Sequence, residues 1–110
     1  GGWAMGLSWF LWGLCLRTVL VLHLTWSVNS IAHKWGYRNY NTRDTSRNIP
    51  LISFVPIGEW LHNNHHHSPS AANFSRRWWE IDPGYHIICF LSWCGLAWDI
   101  KDIKKERVPL

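Results

Sequence analysis

Four of the chain's seven histidines crowd into one run, His62-Asn63-Asn64-His65-His66-His67. On a helix, residues at i, i+3 and i+4 share a face, so His62, His65 and His66 project their imidazoles together. Three neutral imidazoles on one face make half of a metal site. Glu59, three residues earlier, falls on the same side and could accept the far N–H of a ligating histidine, fixing its tautomer. His67 lies a quarter-turn or more from His62 around the helix and is a weaker candidate. Surface histidine clusters also arise without any metal, so the run alone leaves the reading of an exposed turn open.

A second signal stands upstream. In Thr25-Trp26-Ser27-Val28-Asn29-Ser30-Ile31-Ala32-His33, residues 25, 29 and 33 recur every four positions and share one helix face. Alone, His33 reads as a capping or interfacial residue. Beside another histidine cluster it becomes a candidate ligand. Ligation rich in histidine and free of cysteine suits iron, and also zinc, copper or nickel; donor softness does not choose among them.

These groups need elements to hold them. From Trp3 to Ala32 only Arg17 and His23 are ionisable, and as a helix this stretch would extend roughly 45 Å, more than the ~30 Å of membrane hydrocarbon. A span from about Leu7 to Ser30 is expected, with the helix running on to His33 or Lys34 and stopped by Gly36. Arg17 near its middle is costly against lipid, so it should face other helices or snorkel. Residues Tyr37 to Asn48 lack an apolar period and read as a polar surface loop closed by Pro50. Leu51 to Val55 is a short apolar run, Pro56 can open a helix, and Glu59 to His67 continues it until Pro69. Ser68 to Ser75 reads as a loop. Asp82-Pro83 is an N-cap and first-turn pair opening a helix to about Trp98, too short for a confident span and expected to pack at the cytoplasmic interface.

The expected fold class is therefore all-α: an integral membrane helical protein with one transmembrane helix followed by cytoplasmic helices that bear the histidine box. Residues 1–34 would be the last transmembrane helix with its cytoplasmic extension. Residues 35–110 would be the histidine-box region and C-terminal helix of the same domain. Ten tryptophans in 110 residues fit a protein seated at a lipid–water boundary. Ten of the eleven Lys and Arg residues follow His33, which by the positive-inside rule makes that part cytoplasmic. They are interspersed with acidic residues and form no stripe, so nucleic-acid binding is not expected. Cys15, Cys89 and Cys94 lack CxxC spacing and read as reduced. The opening Gly1-Gly2-Trp3 has no initiator Met and no signal-peptide pattern, so the chain reads as the C-terminal part of something longer.

The stretches Leu16-Arg17-Thr18-Val19, His23-Leu24-Thr25-Trp26, Asn29-Ser30-Ile31-Ala32-His33, Gly58-Glu59 and His62-Asn63-Asn64-His65-His66, in this order, closely resemble the stearoyl-CoA (delta-9) desaturase family of membrane-bound fatty-acid desaturases. The resemblance runs from about Gly2 to Lys101. HxxHH spacing is shared with other membrane di-iron enzymes, whereas its pairing with TWxVNSxxH upstream is specific to these desaturases. The resemblance implies that His62, His65 and His66 are iron ligands, that His33 is an additional ligand, and that Asn29 approaches an iron through water. It makes Glu59 a neighbour that orients a ligand and puts Thr25 and Trp26 along the acyl tunnel.

The implied chemistry is O2-dependent removal of two hydrogens from the acyl chain of an acyl-CoA or acyl-lipid, at two iron ions. Electrons would come from a donor such as cytochrome b5 or ferredoxin. The protein would be multi-pass, with its histidine box on the cytoplasmic side. Two departures stand out. The earlier HxxxxH and HxxHH boxes are absent from this chain, so only part of the di-iron site is expected here, inactive without the N-terminal remainder. His67-Ser68-Pro69 also replaces the usual residues after the box. Rival readings are a membrane di-iron hydroxylase and a non-catalytic metal-binding membrane fragment.

Overall fold

The computed structural model describes residues 1–52 and 60–102. The apolar N-terminal stretch is one helix, α1 (Gly2–Ile31), wound as π-helix over Trp9–Leu16. It is the one described helix long and apolar enough to cross a membrane, 30 residues with a mean hydropathy of 1.7 over an 18-residue window. Most of its side chains, Trp9, Trp12 and Leu20 among them, are exposed, as is Arg17, and only near its C-terminal end is one, Val28, buried. A helix apolar all round needs lipid or other helices around it.

The expected helical extension to His33 or Lys34 is a turn instead. Ala32 ends the helix with ψ near zero, and the N–H groups of Lys34 and Trp35 both bond to Ile31 O, at 3.0 and 2.9 Å. The turn frees Ala32 O for the N–H of Arg47 at 2.6 Å, which ties the loop back to the helix end. Gly36 follows at φ +112, where a Cβ would stand 2.3 Å from the carbonyl oxygen of Asn48. Only glycine permits that approach.

The segment from Tyr37 to Asn48, expected as a polar surface loop, is partly interior. Tyr37 and Asn48 exchange backbone hydrogen bonds of 3.1 and 2.7 Å, and Ser46 and Asn48 are fully buried. Asn48 pairs on its other side with Leu61. These two isolated bridges are the only extended pairing among the described residues; the rest of the regular structure is helical.

The histidine run forms a short helix, α2 (His62–His67). It does not extend back through Trp60 and Leu61 as expected, because Leu61 leaves helical geometry (φ −85, ψ 53) to pair with Asn48. Residues 53–59, including Pro56 and Glu59, lie outside the described residues. The final helix, α3 (Pro83–Trp93), opens as expected, with Asp82 Oδ1 accepting the Tyr85 N–H at 3.0 Å. It ends short of Trp98. Gly95 takes φ +75, its N–H bonds to Ser92 O (3.0 Å), and the Leu96 N–H reaches Leu91 O (2.8 Å). This left-handed C-terminal closure is what a glycine just past a helix end favours.

A small apolar core of Val28, Ala32 and Trp60, flanked by Ile31, Ile49 and Ile52, joins the end of α1 to the approach to α2. Ala32 directly precedes His33, and Trp60 stands two residues before His62. The core thus fixes the distance between the two histidine-bearing segments.

Candidate metal centre

A six-residue helix is far too short to hold itself in water. Polar side chains from the neighbouring loop hold α2. Asn48 Oδ1 accepts the otherwise orphaned N–H groups of Asn63 (2.9 Å) and Asn64 (3.2 Å), capping the helix from outside. Asn63 Oδ1 accepts the backbone N–H groups of Asn39 (2.9 Å) and Tyr40 (2.8 Å), and its Nδ2 donates to Tyr40 O at 3.0 Å. Asn64 Nδ2 donates to Phe74 O (2.8 Å) and Glu80 Oε2 (2.9 Å), while its Oδ1 accepts from Asn39 (2.9 Å) and Asn48 (3.0 Å). The asparagines between the histidines thus anchor the back of the helix.

Glu80, buried at 4 % exposure, is the hub behind that anchor. Oε1 accepts from the Tyr37 hydroxyl and from Asn39 Nδ2. Oε2 accepts from Asn64 and from the backbone N–H groups of Arg76 (2.6 Å) and Arg77 (3.0 Å). Burial, then the neighbouring Glu80 carboxylate, pushes the Tyr37 phenol far above its ordinary range.

With its back fixed, α2 turns its front towards the end of α1. His33, His62 and His66 each offer a ring nitrogen, all within 4.8 Å of one another. Nε2 of His33 and Nε2 of His62 are 3.0 Å apart. Two imidazoles bound to one ion at ~2.0–2.1 Å would set their nitrogens about 2.9–3.4 Å apart, so this spacing accepts a shared cation. The far nitrogens are also held. His33 Nδ1 meets Thr45 Oγ1 at 3.1 Å, and His66 Nδ1 meets Asp44 Oδ2 at 2.7 Å. A carboxylate only accepts, so Nδ1 of His66 carries the proton and Nε2 presents its lone pair.

Asp44 is itself fixed, with Oδ1 accepting the Ser46 N–H at 2.8 Å and the Thr42 hydroxyl at 3.0 Å. Burial alone would raise its pKa. The hydrogen bonds from Ser46, His66 and Thr42 outweigh that and hold the carboxyl well below the usual carboxylate range.

His65 stands one step aside. Its ring lies 6.1 Å from that of His62 and 5.6 Å from that of His66, and it packs edge-on to Phe74 at 4.8 Å. His67 points elsewhere, stacked on Tyr40 with centroids 3.7 Å apart. Of the α1 residues, Asn29 is exposed two residues before the helix end. Thr25 donates its hydroxyl to Val21 O at 2.9 Å, and the exposed Trp26 tilts against His23 at 5.6 Å. Glu59 lies outside the described residues. Asp44, Asn48 and Glu80 were missed from sequence. Asp44 carried a weak signal, an acid among Thr and Ser in a turn-forming stretch.

The family model described as fatty acid desaturase matches residues 1–88. The chain is similar to the acyl-CoA C20 Delta5-desaturase of Anemone leveillei, 45% identical over 106 residues, covering 94% of this chain and 34% of that protein. It is similar to the sn-1 stearoyl-lipid 9-desaturase of Synechocystis sp. (strain ATCC 27184 / PCC 6803 / Kazusa), 44% identical, covering 92% of this chain and 30% of that protein. Delta-9 acyl-lipid desaturase 1 of Arabidopsis thaliana is 43% identical, with 87% of this chain and 32% of that protein covered. The chain thus spans about a third of the length of the relatives it matches.

Proposed function

We propose, from the premise that this chain belongs to the fatty acid desaturase family, that it is the part of an acyl desaturase that carries the third histidine box and an additional histidine ligand. The protein containing it would introduce a cis double bond into the saturated chain of an acyl-CoA or acyl-lipid. The observation that carries this reading is the convergence of His33 on His62, 29 residues on, and on His66, with the outer nitrogens of His33 and His66 held by Thr45 and Asp44.

Two iron ions, when bound, would supply the O2-dependent oxidation that no side chain can perform, drawing electrons from a separate donor such as cytochrome b5 or ferredoxin. The residues here hold and orient. His33, His62 and His66 would share one ion, His65 would serve the other, and Asn29 would reach an ion through water. Asp44 keeps the His66 tautomer that leaves Nε2 as a ligand. Glu59 is proposed for the same orienting task. Thr25, its hydroxyl spent within its own helix, would give the acyl tunnel an apolar wall beside Trp26. Histidine ligands from outside this chain would complete the site. α1 would cross the membrane with residues after His33 in the cytoplasm, in a multi-pass protein.

Expression of the intact protein, with iron analysis and fatty-acid profiling, tests this. His62→Ala and His65→Ala should each abolish product. Full activity in His65→Ala would refute its assignment, and hydroxylated acyl chains without olefin would overturn the desaturase reading.

A further inference from the structure

Two of the candidate ligands are held on their outer side by unequal partners. Asp44 Oδ2, 2.7 Å from His66 Nδ1, can only accept, so His66 keeps its Nδ1 proton and presents Nε2 at all times. His33 Nδ1 instead faces a hydroxyl, Thr45 Oγ1 at 3.1 Å, which can donate or accept. On the inner side His33 Nε2 lies 3.0 Å from His62 Nε2. That spacing fits two nitrogens sharing a cation, and it equally fits an N–H···N hydrogen bond. With no ion between them, one of the two must carry a proton, because two facing lone pairs repel.

Solvent access decides which. His62 is 1 % exposed, so its ring is shut off from proton exchange with water. The contact between His33 and Thr45 is exposed, and His33 itself is half-buried. Asp44 forbids any change at His66. Of the three rings, His33 alone has both a solvent-open side and an outer partner that works in either sense.

We propose that Thr45 is a positioning residue whose hydroxyl reverses its role between the metal-free and metal-bound protein. Without metal, Thr45 donates to His33 Nδ1, and His33 Nε2–H donates to the His62 Nε2 lone pair, which keeps the ligand set assembled. With an ion bound, Thr45 accepts from His33 Nδ1–H, and both Nε2 atoms present lone pairs. The proton on His33 Nε2 leaves to water and another arrives from water at Nδ1, so the ring stays neutral. His62 and His66 keep one tautomer throughout, and His33 is the ligand that adapts. This inference rests on the reading of His33, His62 and His66 as ligands.

Nitrogen NMR of isotope-labelled histidines, in the intact protein in lipid bilayers, reads the tautomers directly. The resonance missing in His33→Gln belongs to His33. It should report Nε2–H in the metal-free protein and Nδ1–H when zinc, a diamagnetic probe, is bound. Ferrous-ion affinity, measured by chelator competition, should fall about tenfold in Thr45→Val, which keeps the shape without the hydroxyl, and return in Thr45→Ser. A packing role alone would not be rescued by serine, which lacks the methyl group. A His33 ring that holds its proton on Nδ1 without metal, or wild-type affinity in Thr45→Val, would overturn the inference. His62→Ala separates it from the reading beneath. Affinity lost there but intact in Thr45→Val sinks only the role of Thr45, whereas wild-type affinity in His62→Ala sinks the ligand assignment and this inference with it.

Discussion

Asp44 and His67 show how little of a residue's role lies in its type. Both sit near the histidine cluster proposed to hold metal, yet one clamps His66 through a 2.7 Å contact and the other stacks on Tyr40 with its ring turned from the cluster. Asp44→Asn keeps size and can still accept from Nδ1, but it removes the charge that favours the protonated Nδ1 and a basic Nε2. Iron affinity should fall by about 10–100-fold, the usual effect of losing an orienting carboxylate, without loss of a ligand. Chelator competition on the intact protein would measure it. His67→Ala should leave iron content and product yield unchanged and cost about 1 kcal/mol through the lost stack. An iron loss in His67→Ala matching that of His62→Ala would make His67 a ligand after all. The ligand candidates were legible because helical spacing is written into the sequence at 62, 65 and 66, and because TWxVNSxxH marks His33. Asp44 was not, since a loop has no period to show which side chain points inward.

At the scale of the element, α2 exists because other segments complete it. Glu80 reaches it through Asn64, and Asn48 caps it. Glu80→Ala would leave buried donors on Tyr37, Asn39, Asn64 and two backbone amides without their acceptor. A loss of about 3–5 kcal/mol is expected, the cost of breaking a buried charged network. Gly36→Ala should cost about 1–3 kcal/mol or more, from the positive φ and from driving Asn48 off the α2 cap. Thermal melts with parallel iron analysis would check both, iron release being expected at a lower temperature in each variant. A melt of Glu80→Ala indistinguishable from wild type would show that the hub is dispensable. The start of α3 was readable from Asp82-Pro83, whose capping chemistry is local. Its end was overrun to Trp98 because the apolar run continues past Gly95, and the glycine there outweighs apolarity. The backward extension of α2 failed for the opposite reason. Leu61 obeys a pairing with Asn48, thirteen residues away in sequence, that no local pattern displays.

For the whole molecule, the small core ties one end of α1 to the histidine region while the rest of α1 stands bare. Such a helix is stable only in lipid or among other helices, and Arg17 near its middle requires a polar partner or a path to the interface. The topology proposed above puts the residues after His33 in the cytoplasm and buries the middle of α1. Single cysteines can test both in the intact protein, in a background where Cys15, Cys89 and Cys94 are replaced by Ala. Asn41→Cys, on the exposed part of the loop that carries Asp44, should react with a membrane-impermeant maleimide only when the cytoplasmic face is open to the reagent. Val21→Cys should stay unlabelled from either side until detergent is added. Labelling of Asn41→Cys from outside intact cells would invert the topology and place the histidines away from a cytosolic electron donor. Labelling of Val21→Cys in sealed membranes would mean that α1 lies along the surface. In that case the span inferred from this thirty-residue, largely apolar helix, and the acyl tunnel proposed along Thr25 and Trp26, would both fail.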